Sequence, residues 1–226
     1  MNVKQAAGRF FSVIAKSRTW ANVAYVWLAF PLGLLYFIVM VTGSALVVGL
    51  SLLWIGLLLG VAMVGVMRTL ANFERGLSQF LLGDTLATSA IPQTGSLWKW
   101  FRAAAGNSDT WKGSLFLFLK FPLGIASWVA SVVLFSASIA LIASPFSYER
   151  VDIDFGYWTV TEPVGLALAA IAGVLLFFVT LHAHNAMGML WKAIGRYLLS
   201  SSPAEPAKPH HLEPPAVVLP ADLQMA

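Results

Sequence analysis

The chain has no cysteine. That excludes disulfides, iron–sulfur clusters, thiolate zinc sites and covalently attached c-type haem together. Charge is the second scarcity: Asp, Glu, Lys and Arg make up 11% of the 226 residues, against about 25% in an ordinary soluble domain. With 58% hydrophobic residues and a mean hydropathy of +0.77, the chain cannot cover its own surface with polar groups in water. An ordinary soluble enzyme is excluded. The fold class is an all-α integral membrane protein.

What is present is long uncharged runs. No Asp, Glu, Lys or Arg occurs between Arg18 and Arg68, a stretch of 49 residues (68 − 18 − 1). As helix that would run about 73 Å, more than twice a bilayer core of about 30 Å, so it must cross, turn and cross back. A turn near Gly49–Ser51 gives spans over 24–48 and 51–69. A third run follows Lys120 and reaches Ser147, and a fourth extends from Pro163 to Trp191. Each is long enough for one tilted helix, which makes four transmembrane helices.

Orientation follows from the basic residues in the loops. Residues 1–18 hold Lys4, Arg9, Lys16 and Arg18 and no acid, whereas 149–162 sets Arg150 against Glu149, Asp152, Asp154 and Glu162. Residues 68–120 hold six basic and three acidic residues. The expectation is therefore that both termini and the middle loop are cytoplasmic and that 149–162 lies outside, in a bacterial inner membrane. The net charge of +4 is then positive-inside bias and attraction to membrane lipids, and nucleic acid is not needed to explain it. The apolar run is too long for a cleaved signal peptide.

Comparison of the chain with itself exposes a repeat. Thr19–Trp20 is followed by Phe30, Pro31, Leu32 and Gly33; 91 residues later (110 − 19), Thr110–Trp111 is followed by Phe121, Pro122, Leu123 and Gly124. Seven of fifteen positions are identical over 19–33 against 110–124. More weakly, NFERGLSQFLLG (72–83) matches MLWKAIGRYLLS (189–200). In both, apolar residues fall on one helical face beside cations: Phe73, Phe80 and Arg75 in the first, Trp191, Lys192 and Arg196 in the second. That is the pattern of a helix lying in the headgroup plane. The expected architecture is two parallel-repeat helical hairpins, related by an axis along the membrane normal, each followed by a cytoplasmic interfacial amphipathic helix. The segments expected are 1–18, a cytoplasmic amphipathic start; 19–83, the first repeat; 84–109, a cytoplasmic loop; 110–200, the second repeat with an outer loop at 144–162; and 201–226, a disordered tail. Pro31 and Pro122 each remove a backbone hydrogen bond and kink their helices; Gly33 and Gly124 either let helices pack closely or mark a moving hinge.

Around the spans, Trp98, Trp100 and Phe101 beside Lys99 and Arg102 read as an anchoring belt at the membrane boundary rather than a ligand box. Asp109 is placed to cap the third span. The outer loop alternates Val151, Ile153 and Phe155 with Asp152 and Asp154, which fits a short hairpin. Its acids are either a sensory or cation-binding cluster or a plain solvated acidic loop, and the spacing lacks a calcium-loop pattern. From 203 to 220 lie six of the eleven prolines, a polyproline tail in which His210 and His211 are adventitious metal catchers.

Reactive chemistry is sparse. His182 and His184 are the ionisable residues inside an apolar run, but at i and i+2 they point to nearly opposite sides and cannot share a metal. They read as helix-packing residues, with a proton relay as the sharper alternative. No nucleotide-binding glycine loop, metalloprotease helix or nucleophile elbow appears. The expectation is no catalytic residue, no cofactor, no metal and no enzyme.

The repeated FPLG, the NFERGLSQFLLG helix and the approach TWKGSLFLFLKFPLG together resemble the sensor membrane domain found at the N-terminus of many actinobacterial and related histidine kinases. The resemblance covers roughly residues 15–200 and brings no catalytic residues. In kinase members a dimerisation helix, a phosphoacceptor histidine and an ATP-binding domain follow. Here the Pro-rich tail follows Ser200, so the expectation is a stand-alone, non-enzymatic sensor in a two-component pathway. It would pass a helix shift to a protein partner, a histidine kinase or a larger membrane complex. The conformational elements would be Pro31, Gly33, Pro122 and Gly124, the outer input Glu149, Asp152, Asp154 and Trp158, and the output Phe73, Arg75, Phe80, Trp191, Lys192 and Arg196. A structural accessory subunit is the alternative, a transporter is disfavoured for want of an intramembrane charge, and a homo-oligomer is left open.

Overall fold

The structure, a computed structural model, describes Gly8 and residues 10–87, 96–147, 153–154, 159–160 and 163–200. Its helices are α1 (Ser17–Leu50), α2 (Ile55–Leu77), α3 (Leu97–Gly106), α4 (Ser108–Ala143) and α5 (Pro163–Leu199). Four stretches are long and apolar enough to cross a membrane: Ser17–Leu53, Ile55–Leu82, Ser108–Phe146 and Val164–Leu199. Two-residue strands β1 (Ile153–Asp154) and β2 (Thr159–Val160) pair antiparallel between α4 and α5. Glu149, Asp152, Trp158 and the side chain of Asp154 lie outside the described residues, as do the Pro-rich tail and its histidines.

The helices outrun the uncharged runs that announced them. The first starts at Ser17 rather than 24, and the third starts at Ser108, twelve residues before Lys120 (120 − 108). Its N-cap is Asn107, whose side chain accepts from the Asp109 N–H at 2.8 Å, so the expected capping by Asp109 is corrected: Asp109 occupies the first turn instead. The turn between the first two spans falls at Ser51–Trp54, not Gly49–Ser51. Trp54 takes a left-handed conformation (φ 61°) while its side chain is exposed. A Cβ in that region costs about 1–2 kcal/mol. Trp54→Gly should therefore raise stability by roughly 0.5–1 kcal/mol, read as a higher midpoint in a denaturing-detergent titration.

The segments expected as separate interfacial helices are continuous with the spans. Residues 72–77 finish α2, which passes without a break into a π-helical turn at Ser78–Leu82, and 189–199 finish α5. Phe73 and Phe80 are exposed, as an interfacial face would be, but Arg75 and Trp191 are buried in the core.

Helix directions depart further from expectation. Along α1, Trp27 meets Trp128 and Phe135, Phe30 meets Trp128, and Phe37 meets Phe121 and Phe118. As α1 advances its partner on α4 recedes, so these helices are antiparallel. Thr19 and Asn22 meet Asn185, and Tyr25 meets Trp191, so α5 runs parallel to α1. The expected parallel relation between hairpins is thereby corrected. The α1–α2 turn and the α4–α5 connection point to opposite ends of the stack, so the ends of α4 and α5 that flank 149–162 lie at the Ser17 end and α5 runs away from it. The expectation that 149–162 sits across the membrane from residues 1–18, with the start of α1 and the end of α5 on one side, is corrected with it. The middle loop follows suit: Phe101 of α3 shares a cavity of about 360 Å³ with Val47, Trp54 and Leu57. It sits beside the α1–α2 turn and not at the Ser17 end.

Contacts nevertheless recur at the sequence offsets of 91 and 117 (110 − 19; 189 − 72). Trp20 Nε1 donates to the Ile14 carbonyl at 2.9 Å and Trp111 Nε1 to Ala105 at 2.8 Å. Phe30–Trp128 is matched by Phe37–Phe121, and Asn185–Thr19 by Arg68–Thr110. Gly188 packs on Asn22 and Gly113 on Ala71.

Candidate functional site

The prolines and glycines of the two FPLG segments lie where α1 and α4 cross. Pro31 and Pro122 face outward, while Gly33 and Gly124 are buried. A Cβ on Gly33 would stand 2.6 Å from the Lys120 carbonyl oxygen, and one on Gly124 2.7 Å from that of Ala29. Only hydrogen fits at either position. The glycines therefore act in close packing, the plainer of their two readings.

This approach delivers Lys120, one residue ahead of the second FPLG, into the core between the hairpins. Its ammonium is fully buried and pairs with Glu74 of α2, also fully buried. Tyr25 Oη donates to Glu74 Oε1 at 2.6 Å and Tyr36 Oη to Oε2 at 3.0 Å. Lys120 Nζ stands 4.6 Å from the ring centre of Tyr25, 5.7 Å from Trp191, and 5.9 Å from Tyr36 and from Phe116. The lysine is thus a cation inside an aromatic box, with one carboxylate as counter-ion and two phenols holding that carboxylate. Taking an ammonium out of water costs several kcal/mol. Desolvated cation–π contacts of about 2 kcal/mol and charge-assisted hydrogen bonds offset it here. Gly33 lies midway along the 34-residue α1, so the pair sits at mid-height of the bundle.

Sequence reasoning missed this centre. Lys120 and Glu74 entered the orientation count as loop charges, and the spans were expected to hold no intramembrane charge; both expectations are corrected. A signal existed: at the repeat offsets Lys120 falls on Ala29, Glu74 on Trp191 and Tyr25 on Phe116. Five of the six positions meet here, with Ala29 at the neighbouring crossing against Gly124, and the repeat loses its chemical likeness where the charge pair sits.

A second polar cluster links the ends of α2 and α5. Arg75 donates from Nε to the Leu199 carbonyl at 2.8 Å and from Nη1 to Asn72 Oδ1 at 2.6 Å. Arg196 bridges to Asp84 at 2.9 Å. Lys192 is half-buried nearby. The expected output residues are thus mixed in setting: Arg75 and Trp191 inside, Phe73, Phe80 and Arg196 outside.

His184 is buried with Nδ1 2.8 Å from the Thr180 carbonyl, and His182 is exposed with Nε2 3.4 Å from the Phe10 carbonyl. Among the described residues no three His, Asp or Glu side chains come together as a metal-holding group.

A family model described as "Putative sensor" matches residues 25–199, the stretch that holds Tyr25, Glu74, Lys120 and Trp191. No curated protein and no solved structure matches the chain.

Proposed function

This chain belongs to that sensor family, and from this premise we propose that it is a non-enzymatic membrane sensor whose two hairpins shift against each other at Lys120 and Glu74. The observation that carries the reading is that charge pair, which joins α4 of one hairpin to α2 of the other at the core. A buried pair with a large desolvation cost has few equivalent arrangements, so a small movement of α4 exchanges one defined state for another. The connection between α4 and α5, with Glu149, Asp152, Asp154 and Trp158, is the input, on the same side of the membrane as Lys16 and Arg18. The end of α2, with Arg75 and with Asp84 holding Arg196 of α5, points to the Ser17 side and is the output to a partner.

The recurring contacts support reading the hairpins as an inverted-topology repeat, its pseudo-two-fold axis across the helices near Pro31 and Pro122. The membrane is a bacterial cytoplasmic membrane, with Lys4, Arg9, Lys16 and Arg18 on the cytoplasmic side by the positive-inside rule. The partner is a histidine kinase of a two-component pathway.

Purification of the full chain from its native membrane in mild detergent, with mass spectrometry of stoichiometric companions, tests the reading. A kinase or response regulator supports it. A large respiratory or secretion assembly would make the chain a structural accessory subunit. With the partner in hand, Pro31→Ala with Pro122→Ala should leave folding intact and abolish the stimulus-dependent change in partner activity. An unchanged response in that variant removes the crossing segments from the signalling path.

A further inference from the structure

A groove of about 240 Å³ opens where the start of α1 meets α5, lined by Lys16, Arg18, Thr19, Asn22, Asn185 and Lys192. With Met189 the lining is seven residues, of which three are cations and none is an acid. Among the described residues, the side chains of Lys16, Arg18 and Lys192 make no hydrogen bond or ion pair with any group. Lys192 lies in the fields of Arg18, Asp84 and Arg196; Asp84 meets Arg196 through Oδ1 at 2.9 Å, and its buried Oδ2 has no hydrogen-bond partner among the described residues. The floor is built: Asn22 Nδ2 donates to Asn185 Oδ1 at 2.7 Å, and Asn185 Nδ2 to Thr19 Oγ1 at 3.2 Å.

The offsets of 91 and 117 carry this groove onto a second place in the same molecule. Lys16, Arg18 and Thr19 fall on Asn107, Asp109 and Thr110; Asn185 and Lys192 fall on Arg68 and Arg75. That second place is also a pair of cations beside a threonine, with Arg68 Nη1 2.6 Å from Thr110 Oγ1. There the chain supplies its own anion, because buried Asp109 lies in the fields of both Arg68 and Arg75. At the first place the position of Asp109 is held by Arg18. The second place sets one carboxylate against two cations, Arg68 and Arg75. The first sets the single carboxylate of Asp84 against Lys16, Arg18, Lys192 and Arg196, with a cation where the second has its anion.

We propose that the groove at Lys16, Arg18 and Lys192 binds a phosphate-bearing anion, the headgroup of an acidic phospholipid, in the role that Asp109 fills at the corresponding place. Phosphate oxygens accept from ammonium and guanidinium donors. Exposed Met189 lines the groove beside the cations, and exposed Trp20 and Leu190 adjoin the lining residues Thr19 and Met189 in sequence; they offer the apolar surface that acyl chains cover. The shared chemistry is that of phosphate, and a free phosphate ion is the other source. The inference rests on the membrane setting and not on the sensor reading.

The test uses the full chain in micelles, with native mass spectrometry for retained lipid and thermal unfolding for protection. The probes are phosphatidylglycerol, phosphatidylcholine and inorganic phosphate. Wild type should retain phosphatidylglycerol in preference to phosphatidylcholine. R18Q/K192Q should weaken that binding by about 25-fold, roughly fivefold for each cation removed. K99Q/K112Q, which removes two exposed cations elsewhere, should bind as wild type does. Arg18→Asp, which copies the other site, should abolish lipid retention yet unfold no lower than lipid-free wild type. This variant separates loss of a ligand from loss of the fold. Protection of wild type but not of R18Q/K192Q by inorganic phosphate alone would support the site and assign it to the free ion. Equal retention of the two lipids by wild type, or undiminished phosphatidylglycerol binding by both Arg18 variants, overturns the proposal.

Discussion

Glu74→Gln alone should cost about 3–5 kcal/mol of stability, and Lys120→Met alone about as much, because each leaves one charge buried without its counter-ion. The double variant Glu74→Leu with Lys120→Met should recover most of that loss, since a well-packed apolar pair often replaces a buried ion pair at no net cost. The measurement is a double-mutant cycle by denaturing-detergent titration, following the tryptophans. The expected coupling is of the order of several kcal/mol, beyond the usual range for neighbouring residues of about 0.5–3 kcal/mol. Tyr25 and Tyr36 lose their acceptor in the Glu74→Leu variant, so recovery should improve when both become Phe. Additive single losses would mean that Lys120 and Glu74 reach other partners and do not form the closed pair. The recovered double variant also isolates function from folding: a sensor that works through this pair should be folded and unresponsive.

Much of the fold was legible because a bilayer punishes charge. Uncharged runs marked four membrane-length helices, and the weak match between 72–83 and 189–200 marked helix ends that do pack in corresponding ways. Legibility failed where the chain breaks that rule. Lys120 bounds an uncharged run, and a lone lysine normally ends a span; a buried lysine needs a carboxylate, here 46 residues away in sequence (120 − 74), and four rings from three helices. No local pattern encodes that convergence. The direction of the second hairpin was hidden for a related reason. Counting basic residues assigned 84–109 to one side, but Arg68, Arg75 and Lys120 are engaged inside the protein, so they do not report on a loop. Asp109 was read as a helix cap from its position, when the side chain that caps belongs to Asn107.

Gly33→Ala should destabilise by about 1–3 kcal/mol through overpacking. The obstacle is the Lys120 carbonyl at 2.6 Å, a backbone atom that cannot rotate away, so α1 and α4 must separate. Gly124→Ala should do the same against Ala29 at 2.7 Å. The two contacts flank one crossing, so the first substitution opens the gap that the second would need. The double variant should therefore cost clearly less than the sum of the singles, in contrast to independent sites, which add within about 0.3–0.5 kcal/mol. Gly49 and Gly76 on α1 and α2 have nothing within 4 Å of a Cβ; Ala at either should be neutral or stabilise by up to about 1 kcal/mol, the ordinary helix-propensity gain. Separation of α1 from α4 also shifts the Lys120 backbone relative to Glu74. The coupling measured in the double-mutant cycle should then fall when the cycle is repeated in a Gly33→Ala background. Coupling unchanged by Gly33→Ala would show that the charge pair holds its geometry without the close crossing, and the glycines would be packing residues with no part in moving the hairpins.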